Sequence, residues 1–129
     1  YEATGRIAEA IALQESVLSA RERVLGPEHP DTLTSRNNLA GAYEATGRIA
    51  EAIALQESVL SARERVLGPE HPDYLISLNN LARAYEHAQL HDAAISTYMR
   101  LVDGLERVYG ADDYRTVISR NSLEALRGI

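Results

Sequence analysis

Apolar residues recur along this chain at the three- and four-residue intervals of amphipathic helices, not in the alternation of strands. Residues 30–46 place Leu33, Arg36, Leu39, Ala40 and Tyr43 on one side, with Thr34, Asn38, Gly41 and Ala45 opposite. Residues 48–67 carry a second stripe of Ile49, Ala52, Ile53, Gln56, Val59, Leu60, Arg63 and Leu67, opposed by Glu51, Ala54, Ser58, Ser61 and Arg65. Gln56 and Arg63 interrupt that stripe. Their methylene stems are expected to cover apolar neighbours while the polar heads stay at an edge.

Punctuation separates the two stripes into a helix pair. Pro30 suits a first helical position, because its missing N–H would be unpaired there in any case, and Asp31 sets negative charge on the positive end of the helix dipole. His29 falls at the cap. Gly47 predicts a helix end at positive φ, and Gly68-Pro69 stops the following helix at Leu67. Further on, Asp113 replaces the histidine cap before a helix predicted over Tyr114–Arg127.

The pair repeats. Tyr1–Asp31 recurs without a change as Tyr43–Asp73, a period of 42 residues, and a diverged third copy starts at Tyr85. Tyr1, Tyr43 and Tyr85 hold one position, as do Gly26, Gly68 and Gly110, and Leu39, Leu81 and Leu123. The organisation expected is one repeat domain over residues 1–129, in units 1–42, 43–84 and 85–129. It starts at the end of a first-type helix: Tyr1–Gly5 reads as its tail, and Arg6–Leu25 as a complete second-type helix. The fold class is all-α, an α-solenoid of antiparallel helix pairs.

Within the pair, Leu39, Ala40 and Tyr43, followed by Gly47, Ala52 and Ile53, resemble the tetratricopeptide signature, and Leu81, Ala82, Tyr85 and Ala94 repeat it. Two features depart from it: the period is longer than usual, and the large aromatic expected in the second helix is Gln14 and Gln56, restored only as Tyr98. The longer period, with LGPEHPD between units, is similar to the arrays of kinesin light chains, nephrocystin-like proteins and STAND-type sensor regions. The resemblance implies a right-handed superhelix whose first-type helices, A, hold peptides or partner proteins on a concave surface.

Composition narrows the alternatives. There is no Cys, which removes disulfides, zinc-thiolate sites and thiol nucleophiles. A net charge of −6 opposes nucleic-acid binding, which needs clustered cations to displace counterions. With 45% hydrophobic residues and no apolar stretch of membrane-spanning length, a soluble, cytoplasmic protein is expected. His87, His91 and Asp92 lack a fourth ligand, so no metal is expected there. His29-Pro30-Asp31 reads as cap, helix-starting proline and dipole-matched acid. Asp112-Asp113 reads as helix-start acids, and neither a phosphate loop nor a nucleophile elbow is present. Neither catalysis nor a cofactor is expected.

Binding is then assigned to the outward side of helices A: Thr34, Asn38, Gly41 and Ala45, then Ile76, Asn80, Arg83 and His87, then Ile118, Ser122 and Ala125. An Asn amide offers a donor and an acceptor together and can pair with peptide backbone without reading side chains. Asn38 and Asn80 match the helix-A asparagines that grip peptides in tetratricopeptide arrays, whereas Ser122 departs from them. The peptide-binding set expected is Asn38, Asn80, Arg83, His87 and Ile76, with Arg83 and His87 preferring an acidic segment. The alternative is a spacer or head-to-tail assembly element with no specific ligand, favoured by the near-identity of the first two units. Weak head-to-tail self-association is expected through an exposed stripe of Ile7, Ile11, Leu18 and Leu25, meeting a final helix whose Leu123 and Leu126 lack cover.

Overall fold

The computed structural model describes residues 3–128, with side chains from Gly5 onward. Six helices follow in chain order: α1 Ala3–Leu25, α2 Pro30–Ala45, α3 Ile49–Leu67, α4 Pro72–His87, α5 His91–Tyr109 and α6 Tyr114–Arg127. There is no strand among the described residues. None of these helices is long and apolar enough to cross a membrane.

Local chemistry sets the helix ends. His29 and His71 have extended backbone, and each Nδ1 accepts the N–H of the residue two further on, Asp31 at 3.1 Å and Asp73 at 3.0 Å. Asp113 does the same for Arg115 at 2.9 Å. At the other end of α2, the Arg48 N–H reaches the Tyr43 carbonyl at 2.8 Å and the Gly47 N–H reaches that of Glu44, with Gly47 at φ +83°. This is the double closure that a left-handed residue permits. The third copy makes the same closure with Gln89 at φ +60° where glycine stood.

Two compact units, Tyr1–Ala62 and Arg63–Ile129, collect the contacts. In the first, α1 packs on α2, and Ile11 and Leu18 join Leu39, Ala40, Tyr43 and Ala52 in one buried cluster. Leu33 meets Val59 and Ala62 in another. In the second unit, α4 packs on α5 and α5 on α6, with Leu75, Leu78, Leu81, Tyr98, Leu101, Leu105, Leu123 and Leu126 buried. The inward assignments of Leu33, Leu39, Ala40 and Tyr43, and the outward ones of Thr34, Asn38, Gly41 and Ala45, agree with this burial.

Several expectations are corrected. The break at Gly5 is absent: α1 runs unbroken from Ala3, although the sequence around Gly5 is identical to that around Gly47. At Gly47 the reversal folds α2 back on α3 and buries Leu33, Ala40 and Tyr43. The assignment of Tyr1 lies outside the described residues. Ile11 and Leu18, expected on an exposed stripe, are buried under α2, whereas Ile7 and Leu25 are exposed. Leu123 and Leu126 are buried, because α6 lies on α5.

Gln56 is buried too, with its Oε1 unpartnered, instead of holding its amide at an edge. Arg63 uses its half-buried head structurally: Nη1 donates to the Ser77 hydroxyl at 2.8 Å and to the Asp73 carbonyl at 3.2 Å. Arg21 makes the same pair of bonds to Ser35 and Asp31. These arginines tie a second-type helix to the start of the helix A after it.

Candidate peptide-binding surface

The expected binding residues divide between the two units. Ile76, Asn80, Arg83 and His87 lie at i, i+4, i+7 and i+11 of α4 and share one face by helical spacing. Ile76, Arg83 and His87 are exposed, while Asn80 is half-buried and already engaged in an interaction. Asn38 is exposed on α2, in the first unit, at the edge of a groove shared with α1.

Of the α4 set, Ile76 opens into a cavity. The pocket has a volume of about 290 Å³, and Ile76, Leu101, Leu105, Tyr109, Tyr114 and Ile118 make it predominantly apolar. Such a volume sits at the low end for small-ligand cavities, suited to one or two side chains of a larger partner. Helical register explains why it exists: Ile76 and Ile118 occupy equivalent outward positions of α4 and α6, and neither is covered, at 52% and 59% exposed. Asn79 lies on its wall and offers an amide.

The polar edge belongs to Arg115. Its guanidinium carbon sits 3.6 Å from the centre of the Tyr109 ring and 5.3 Å from that of Tyr114, within the range of cation–π attraction. Its Nε donates to Asp113 at 2.9 Å. That bond holds the Asp113 carboxyl below its usual range and raises the guanidinium above its own. Asp113 therefore serves twice, as the cap of α6 and as the anchor that keeps Arg115 against the tyrosines.

Sequence reasoning chose Ile76 and read Ile118 as outward, but missed Tyr109, Tyr114 and Arg115. The signal was present in the third copy. Pro30 and Pro72 become Tyr114, Asp31 and Asp73 become Arg115, and Leu25 and Leu67 become Tyr109. Three changes converge on one place only once α5 and α6 are folded together.

Behind this surface Tyr98 fills the position that holds Gln14 and Gln56 in the earlier copies. It is buried, and its hydroxyl donates to Glu86. Burial first, and that carboxylate second, raise the Tyr98 phenol well above its usual value, while the nearby charge of Arg83 acts in the opposite sense. Among the described residues no group of three or more His, Cys, Asp or Glu is placed to hold a metal ion.

Helix pairs with these caps, these turns and small residues at their crossings define a tetratricopeptide-type α-solenoid. The tetratricopeptide repeat profile matches residues 1–64 and 37–107, and the chain belongs to that family. Among solved structures it is similar to a kinesin light chain from Podosopora anserina described as having nearly identical TPR-like repeats, with a TM-score of 0.84 and 31% identity. That match covers 95% of this chain and 58% of the other. A point variant of the same fungal protein matches at 0.84 and 30%, covering 97% and 59%. BtubC (BKLC) from P. vanneervenii shares the fold at 0.71 and 19%, covering 96% and 57%. The chain thus spans somewhat more than half the length of these structures. No curated protein sequence matches it. Arrays of this family are generally non-enzymatic scaffolds that bind proteins or peptides.

Proposed function

We propose that this chain is a protein-interaction module that takes a peptide or partner protein on the exposed faces of its helices A. An apolar side chain enters the pocket of Ile76, Tyr114 and Ile118, and Asn80, Arg83 and His87 contact the segment that continues along α4. The observation that carries this reading is the pocket itself: it leaves two isoleucines and a tyrosine uncovered beside an arginine held in place by a tyrosine ring and Asp113. Isolated surface apolar residues need no explanation, but a cluster around a cavity does. Arg83 and His87 favour an acidic segment beyond the apolar anchor. Asn38 supports backbone pairing in the first unit.

A peptide array with one apolar residue scanned against acidic flanks tests the reading. Ile76→Asp is expected to weaken the best binder by about tenfold or more, since it puts a charge in the apolar seat. The Asn38→Ala and Asn80→Ala pair should weaken binders whatever their sequence. Absence of any binder, or equal binding by the Ile76→Asp protein, refutes the reading. It would leave the spacer alternative, which the unchanged recurrence of 31 residues, Tyr1–Asp31, supports.

A further inference from the structure

In the first two copies an arginine of the second-type helix holds a serine of the helix A after it. Arg21 Nη1 donates to the Ser35 hydroxyl and Arg63 Nη1 to that of Ser77, each at 2.8 Å. The third copy keeps the serine as Ser119 but has Leu105 in place of the arginine. Ser119 is 7% exposed and lines the pocket of Ile76 and Ile118, and its hydroxyl has no partner among the described residues. Asn79 is half-buried on the wall of the same pocket, and its amide has no partner among the described residues either. A hydroxyl and an amide that face a cavity in this state carry unmet hydrogen-bonding capacity, which an occupant of matching chemistry satisfies.

Burial separates the floor of the pocket from its mouth. Leu101, Leu105 and Ser119 are buried, whereas Ile76, Tyr114 and Ile118 are exposed. A side chain that reaches Ser119 must therefore pass apolar walls and end in a polar group. In the earlier copies that group is a guanidinium, and the residue whose backbone carbonyl shares it is acidic, Asp31 or Asp73. Here that residue is Arg115, on the pocket wall, and a second cation beside it is disfavoured. A carboxylate is disfavoured for other reasons. Arg115 is already bound to Asp113, an ionised tip would lose its hydration over an apolar floor, and it has no N–H to donate. A carboxamide is planar like the guanidinium, uncharged, and offers a donor and an acceptor together.

We infer that the floor of this pocket takes the carboxamide of a glutamine in the partner segment. Its amide N–H donates to Ser119 Oγ, as Arg63 does to Ser77, and its carbonyl accepts from the Asn79 amide. The methylene stem packs on Ile76 and Ile118, while the apolar anchor lies at the mouth against Tyr114. This rests on the reading of the pocket as the seat of a partner segment, and adds the second side chain that the pocket holds.

The probes are synthetic acidic peptides with one leucine, in which Gln, Glu, Met or Arg is placed in turn at each position near the leucine, titrated by the 129-residue chain and followed by fluorescence anisotropy. At one position Gln is expected to bind about tenfold tighter than Met, Glu or Arg. The pair Ser119→Ala and Asn79→Leu should reduce that preference to less than about twofold, because no polar group is left for the amide to meet. Leu105→Arg, which restores the residue of the earlier copies, should occupy Ser119 from within and remove the preference as well. Circular dichroism checks that both proteins keep their helices. Peptides that Ile76→Asp weakens but that show no gain from Gln at any position overturn the inference and leave the proposed function standing. A preference for Gln that survives the Ser119 and Asn79 changes also overturns it, and a set in which no peptide binds overturns both readings.

Discussion

Gly104 of α5 and Leu75 of α4 meet so closely that a Cβ built on the glycine would stand 2.6 Å from Leu75 Cδ2. The same position is Ala20 and Ala62 in the earlier copies, so the third copy has exchanged a methyl group for a closer crossing of its helices. Overpacking costs about 1–3 kcal/mol, and alanine returns about 1 kcal/mol of helix propensity over glycine. Gly104→Ala is therefore expected to lose about 1 kcal/mol net. Combined with Leu75→Val, it should lose less than the two changes added separately. A double-mutant cycle in urea measures the coupling, and strict additivity would show that the contact does not constrain the pair.

Gln89 occupies the left-handed position that Gly47 fills in the preceding copy. A residue with a Cβ is disfavoured there by about 1–2 kcal/mol, and glycine gives back part of that through its freer unfolded chain. Gln89→Gly should raise stability by about 0.5–1 kcal/mol, while Gln89→Val should lower it. Thermal unfolding of the two variants decides the matter, and the same midpoint for both would contradict the strain argument.

Asp113 gives a pH signature. Its folded carboxyl is held below the usual range by Arg115, so its contribution is present above the unfolded value of about 3.9 and fades as pH falls through the lower folded value. Asn can still cap α6 but cannot form the ion pair. The difference in melting temperature between the unsubstituted chain and Asp113→Asn should favour the former at neutral pH and vanish in acid below the ordinary aspartate range. A difference that persists there would mean that Asp113 contributes without its charge.

Much of the fold is legible in the sequence, and the reason is visible at His29, Gly47 and Asp113. Each acts on atoms within a few residues: a ring nitrogen on an N–H two residues away, a missing Cβ that allows φ +83°, a carboxylate on the first turn of α6. The candidate site was less legible. Ile76 could be placed by helical spacing, but Tyr109, Tyr114 and Arg115 share a pocket only because α5 and α6 bring together residues from separate helix ends. Gln56 was misplaced for a related reason. Its burial depends on the neighbours that surround α3, whereas Gln14, in the same sequence on α1, stays half-buried.

By itself the sequence determined the 42-residue period, the helix ends from Pro30 to Arg127, and the inward side of α2, because spacing, capping and φ restrictions act locally. Tertiary structure decided what identical segments became. Gly5 continues a helix where Gly47 ends one, and Val17 stays open where Val59 is fully buried. Ile11 and Leu18, with Leu123 and Leu126, are covered because α2 and α6 lie across them. Burial belongs to the surface that arrives against a residue, and two identical stretches of chain differ when only one of them has a helix to cover it.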